Sequence, residues 1–415
     1  MQNSFTNPIS CQSNIRSTFR LRIAQIFDLS DAQGRIKSME GLRGVAILIV
    51  FLCHFDVLIV KNLSVQHFFS VTSATIGRVG TAGVDLFFVL SGFLIYRAAL
   101  RPNLRYFDFI SRRMRRIYPA FLVVLAFYIV VSYLMPSLSK IPAEPTAAAG
   151  FLLMNLLFLP GFVNVNPIVS VAWSLSYEWY FYLSLPLFIQ GFKLYSWSPR
   201  WRIIFFVTLP LVYISFSLMA PTIGAILSWP IERTHVRLVM FVCGMLISEL
   251  IEVPKFVDRV KNNNCAILVI CIIGLLSLFV LEFTCLDWQL QPELIPFWFE
   301  PTRTTLLFIS CVFLTLSAFS GNGFLTRIFS TSFLRGLGNI SYSFYLVHTI
   351  PLNIMKMFIV KTGLGTSFPI LTYTLCLPIA FVAAISAALL MYLLIEKPFS
   401  LHRSKSKANV GHAAC

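Results

Sequence analysis

Long apolar runs separated by short polar interruptions dominate this chain. They fall near residues 45 to 60, 82 to 99, 117 to 135, 174 to 190, 202 to 219, 236 to 252, 265 to 283, 302 to 319, 339 to 360 and 369 to 395. Each is long enough, allowing for tilt, to carry a helix across roughly 30 Å of hydrocarbon. An eleventh run, AAAGFLLMNLLFLP at 147 to 160, stops at Pro160. It is short for a full crossing, so it is expected to be re-entrant or interfacial. The pattern predicts an all-α polytopic membrane protein of about ten transmembrane helices.

Composition agrees. The 415 residues are 57% hydrophobic and 12% charged, about half the charged fraction of a soluble domain. The runs follow one another too closely for a soluble domain to fit between them. Three segments are expected: a cytoplasmic N-terminal stretch 1–38, a membrane domain 39–399 and a cytoplasmic basic tail 400–415. Residues 1–38 hold Arg16, Arg20 and Arg22 and show no apolar core with a small-residue cleavage site. They do not look like a removable signal peptide, and the first span is expected to direct insertion.

Charge then orients the spans, because Lys and Arg accumulate in cytoplasmic loops. With the N-terminus inside and ten crossings, inside segments hold 25 of the 33 basic residues. Counting 147–160 as a crossing would invert every later loop and put the basic ones outside. Both termini are therefore expected to be cytoplasmic. The net charge of +16 reads as topology plus attraction to the lipid bilayer and to anionic cytosolic ligands, and no nucleic acid is expected as a partner. Seven of the nine cysteines lie in or beside apolar runs, with no CxxC and no His/Cys cluster at metal spacing. No metal site is expected.

Against this background the ionisable residues inside spans are the candidate chemistry, since burying them in hydrocarbon is costly. EGLRGVAILIVFLCHFDVLIV, residues 40 to 60, carries Arg43 at its mouth and His54 within. Eleven residues of helix put them on one face with roughly 16 Å of rise between them. His348, ten residues beyond Gly338 in GNISYSFYLVHTIPL, reaches about the same depth from the inside. Asp85, Ser91 and Arg97 lie along GVDLFFVLSGFLIYR, and Glu178 with Ser174 in AWSLSYEWYFYLSLPLF. SRRMRRIYP, residues 111 to 119, supplies Arg112, Arg113, Arg115 and Arg116, guanidinium forks suited to phosphate oxygens. An inner arginine rim, a polar track at mid-depth and acidic groups nearer the outside match the layout of acyl-coenzyme A. Its nucleotide would sit at the arginines and its thioester at His54, where a desolvated, neutral imidazole can take a hydroxyl proton.

At these residues the chain resembles the acyltransferase-3 family of membrane O-acyltransferases. EGLRG followed by His54, GVDLFFVLSGFLI, RRMRRIYP, WSLSYEWYFYL, ISYSFYLVH and IEKPF match family segments in family order, across residues 39 to 399. The resemblance implies an acyl-coenzyme A donor, acetyl-coenzyme A first among them, used as co-substrate with no bound cofactor. It implies a saccharide or glycolipid acceptor and a bacterial inner-membrane location. His54 would be the catalytic histidine, with Glu178 as the acidic catalytic residue of the fourth span. Arg43, Arg112, Arg113, Arg115 and Arg116 would bind the donor. On their own positions within the spans, apart from the resemblance, Asp85, Ser91, Ser174 and His348 are expected to serve the acceptor or support the site. Two positions depart from the family pattern: Glu40 stands where Asp is common, and Trp179 and Tyr180 replace a second glutamate and a glutamine. A secondary transporter is the rival reading, because midplane ionisable residues mark those proteins too. A carrier predicts repeated halves with paired Gly/Pro-broken spans, and the sequence shows no such echo.

Overall fold

A computed structural model describes residues 27, 29, 36–64, 67–163, 165–219, 231–285, 296, 298–319, 321 and 323–401, with side chains described at all of these except 67–70, 216–219, 231–237 and 401. Arg16, Arg20 and Arg22 of the N-terminal segment and residues 402–415 of the tail lie outside the described residues, as do the side chains of His67 and His235.

All ten apolar runs form helices, and no strand occurs among the described residues. In chain order the helices that matter here are α1 (Lys37–Leu58), α2 (His67–Val79), α3 (Ala82–Ala99), α4 (Tyr106–Leu134), α5 (Pro145–Leu156), α6 (Ala172–Gly191), α7 (Pro199–Met219), α8 (Ile231–Leu250), α9 (Asn264–Thr284), α10 (Phe299–Phe319), α11 (Ser332–Asn339), α12 (Ser341–Val347), α13 (Thr349–Thr362) and α14 (Pro369–Met391), the last running into a π-helical turn at Tyr392–Glu396. Seven stretches among the described residues are long and apolar enough to cross a membrane, from Lys37–Asn62 to Pro369–Ser400. The chain is an all-α polytopic membrane protein.

Three local features depart from the apolar-run reading. The second span is preceded by α2, whose Ser, Thr and Gly residues dilute the apolar signal, and only Gly80 and Thr81 separate it from α3. The ninth run is two helices broken at His348. Pro351 has no N–H to give the Val347 carbonyl, so the helix loses a bond there. The run at 147–160 yields α5, twelve residues from Pro145 to Leu156. At 1.5 Å per residue it extends about 18 Å, well short of a crossing.

Helix α1 is apolar on nearly every side and lies at the centre, with Leu42, Ala46, Ile47, Val50, Phe51 and Phe55 buried. Peripheral α14 instead exposes Ile370, Leu375, Ile379, Val382 and Leu390, the surface a bilayer would cover. No hydrophobic force drives apolar helices together in lipid, so close backbone approach through small residues does the work. A Cβ at Gly92 on α3 would collide with the Phe241 carbonyl of α8, and one at Gly244 on α8 with the Val89 carbonyl of α3. Gly44 and Gly338 bring α1 and α11 together in the same way.

Polar clamps tie helix ends. Arg335 Nε pairs with Glu40 Oε2 at 2.8 Å, both buried; Arg202 pairs with Glu249 at 2.8 Å and Arg97 with Glu252 at 2.6 Å. Elsewhere Arg303 pairs with Glu282 at 2.6 Å and donates to Thr81 Oγ1 at 2.8 Å. Each contact joins ends that the alternating order of ten runs assigns to one side of the bundle.

Candidate active site

Helices α1, α3, α4, α6 and α12 enclose a partly open cleft with about 770 Å³ of empty space. Its lining on α3 runs from Val84 to Ile95, about 16 Å of helix. Its lining mixes apolar side chains, Phe87, Phe88, Leu90, Leu94, Ile117 and Leu175, with polar ones, Arg43, Arg113, Arg116, Ser91, Ser341, Glu178 and Tyr182.

The helical register selects which basic residues take part. Successive residues turn by about 100°, so Arg113 and Arg116 share the cleft face of α4. Arg112 and Arg115 are exposed and do not line the cleft, so the expected cradle of four is narrowed to two arginines of α4, joined by Arg43 from α1. Arg43 donates to Ser341 Oγ at 3.0 Å. Arg113 lies over the rings of Phe109 and Tyr182, 5.4 Å and 5.7 Å from their centroids. Its Nε is buried with no hydrogen-bond partner among the described residues. A guanidinium offers five N–H donors, so most of this donor capacity is left for an anion.

Glu178 is the carboxylate in the lining. It accepts from Ser91 Oγ at 2.7 Å across α3 and α6, and from Tyr182 one helical turn on. A second carboxylate, Glu396, stands behind the arginines on the π-helical turn. It accepts from Ser343 N at 3.2 Å and Ser343 Oγ at 2.5 Å, and its charge acts on both Arg116 and Arg43. Such turns recur at functional positions in helices. Pro119 and Pro186 each leave a carbonyl four residues back, at Arg115 and Tyr182, without its helical donor at cleft level.

The remaining residues singled out from sequence divide. Ser174 lines the cleft and hydrogen-bonds Tyr345, Oγ to OH 2.6 Å. Asp85 is fully buried but outside the lining, where its charge acts on Arg303. His54 and His348 are brought together, with ring centroids 4.8 Å apart and planes at 81°. Neither ring lines the cleft. The lining on α12 ends at Tyr345, whose ring centroid is 6.0 Å from that of His348. Arg43 thus lines the cleft while His54 lies beyond its lining, and Tyr345, itself in the lining, has its ring against that of His348.

Sequence reasoning gave no role to Ser341, Tyr345 or Glu396. The IEKPF segment did mark a lone glutamate closing an apolar helix, and ISYSFYLVH carried a polar residue every second or third position.

A family model described as an acyltransferase domain matches residues 36–393. The chain is 27% identical over 331 residues to the peptidoglycan O-acetyltransferase OatA of Listeria monocytogenes, covering 75% of this chain and 49% of that protein. It is 33% identical over 169 residues to the acyltransferase MdmB of Streptomyces mycarofaciens, covering 38% of this chain and 40% of that one. The chain thus spans about half the length of the curated relatives it matches. No solved structure matches it significantly. Because the family match takes in all five helices of the cleft, the chain belongs to the acyltransferase-3 family.

Proposed function

We propose that this chain is an O-acetyltransferase of the bacterial inner membrane. It takes an acetyl group from cytosolic acetyl-coenzyme A and gives it to a hydroxyl of a saccharide or lipid-linked saccharide. The observation that carries the reading is the convergence of Arg43, Arg113 and Arg116 on one cleft, with Arg113 Nε buried and without a partner among the described residues, within a family of acyltransferases. Phosphates are the natural occupants of such forks. Bacterial relatives named as acetyltransferases, one of them for peptidoglycan, support acetyl as the group and a saccharide as the acceptor.

In this reading the arginines hold the phosphates of the donor and the apolar side chains of the lining receive its pantetheine arm. The thioester end passes Tyr345 to reach His54, which takes the proton from the acceptor hydroxyl as general base. Glu178, held by Ser91 and Tyr182, sets the position of Tyr182 and balances charge against Arg113. The thioester is already activated, so the transfer requires no bound cofactor.

The test is transfer of labelled acetyl from acetyl-coenzyme A by purified protein, wild type against His54→Ala and Arg116→Ala. Losing a general base lowers turnover about 10² to 10⁴-fold, and losing a phosphate contact raises the KM for the donor. Equal activity in wild type and His54→Ala removes the catalytic assignment. Uptake of solute into vesicles without acetyl consumption establishes a carrier instead.

A further inference from the structure

The two imidazoles at mid-depth carry more information than their proximity. His54 Nδ1 lies 2.9 Å from the Val50 carbonyl oxygen, and His348 Nδ1 lies 3.1 Å and 2.9 Å from those of Phe344 and Tyr345. A carbonyl oxygen only accepts, so Nδ1 bears the hydrogen in both neutral rings and both Nε2 atoms present a bare lone pair. His348 is completely buried, and its Nε2 has no hydrogen-bond partner among the described residues. Native interiors retain few unsatisfied acceptors. A residue kept only for packing at this position would not need to leave one. His54, by contrast, is partly exposed, so it is the ring a substrate hydroxyl meets.

We propose that His348 is the proton partner of His54, a positioning residue that acts through it; this rests on the acetyltransferase reading above. The acceptor oxygen forms its bond to the thioester carbonyl carbon as the carbon–sulfur bond breaks. The hydroxyl proton passes to His54 Nε2, and the imidazolium so formed, in edge contact with the His348 ring, turns so that its N–H donates to His348 Nε2, a bond absent from the resting geometry. The same proton then moves to the departing thiolate sulfur, so that ester and free thiol leave and both rings return to neutral. His348 thereby stabilises the charged ring at the moment it exists.

Two substitutions separate this role from a structural one. In His348→Asn the amide nitrogen replaces Nδ1 and keeps the bonds to Phe344 and Tyr345, but no acceptor stands at the Nε2 position. In His348→Gln the longer side chain places an acceptor oxygen there. A hydrogen bond to a charged group is worth about 10 to 100-fold in rate. His348→Asn is therefore expected to lower kcat by about that factor with the KM for acetyl-coenzyme A unchanged, and His348→Gln to recover most of the loss. Donor binding by each purified variant, measured by titration with acetyl-coenzyme A, checks that the cleft arginines are still assembled. Wild-type turnover in His348→Asn, or equal losses in the two variants with donor binding intact, overturns the proton-partner role. Full activity in His54→Ala instead overturns the reading on which it rests.

Discussion

At the scale of single residues, four neighbouring arginines have two different fates. Arg113 and Arg116 face the cleft; Arg112 and Arg115 face away. Arg113→Ala and Arg116→Ala are each expected to raise the KM for acetyl-coenzyme A by about 10 to 100-fold, the worth of a hydrogen bond to a charged group. Arg112→Ala and Arg115→Ala are expected to leave it within about twofold, since exposed charges contribute little. Steady-state kinetics on the four variants checks both halves. Glu178→Gln keeps shape but removes the charge that Ser91 and Tyr182 donate to. It is expected to lower kcat about tenfold or more while Ser91→Ala, which removes one of two donors, lowers it less. The residue types were legible in the sequence because ionisable groups in apolar helices stand out. Which arginines face the cleft was not, because that depends on the rotation of α4 against α6 and α12. Nor was the pairing of Arg43 with Ser341, 298 positions apart, which exists only through tertiary packing.

At the scale of helices, the cleft depends on crossings that tolerate no side chain. Gly92 follows Ser91, so the contact that seats α3 on α8 also aims Ser91 at Glu178. Gly92→Leu is expected to separate the two helices. Thermal melting in detergent should fall by several degrees, in line with overpacking costs of about 1 to 3 kcal/mol, and acetyl transfer should fall with it. The buried Glu40–Arg335 pair joins α1 to α11. Glu40→Ala leaves a buried guanidinium without its carboxylate, a loss of about 3 to 5 kcal/mol, whereas Glu40→Ala with Arg335→Met is expected to melt higher than the single variant. Helix existence was legible from apolar runs alone. The break at His348 was signalled only by Pro351 within a run long enough to be read as one span, and α2 was not legible, since its polar residues hide it from a hydropathy reading.

At the scale of the whole molecule, parity carries the argument. The alternating order that gathers basic residues on one side also places the arginine end of the cleft there, the side from which the proposed donor would enter. Ser198 and Ser137 are both exposed and belong to opposite sides in that order. With the native cysteines replaced, an impermeant maleimide applied to intact cells is expected to label Ser137→Cys and not Ser198→Cys, and to label both after lysis. The reverse pattern would put the arginines where no coenzyme A is found. At this scale the reading rests on charge asymmetry, because insertion follows a rule that needs only the sequence, and the labelling pattern tests it.

Glu396 lies in the last turn of the last long helix, and its charge bears on an arginine of the first. The two are made 353 residues apart during synthesis. A ribosome stalled before that turn emerges would leave a protein with its arginines inserted but their counter-charge missing. Acetyl transfer should therefore begin only once the turn at Tyr392–Glu396 has been made and packed, so that the growing membrane protein stays silent toward the donor pool until then.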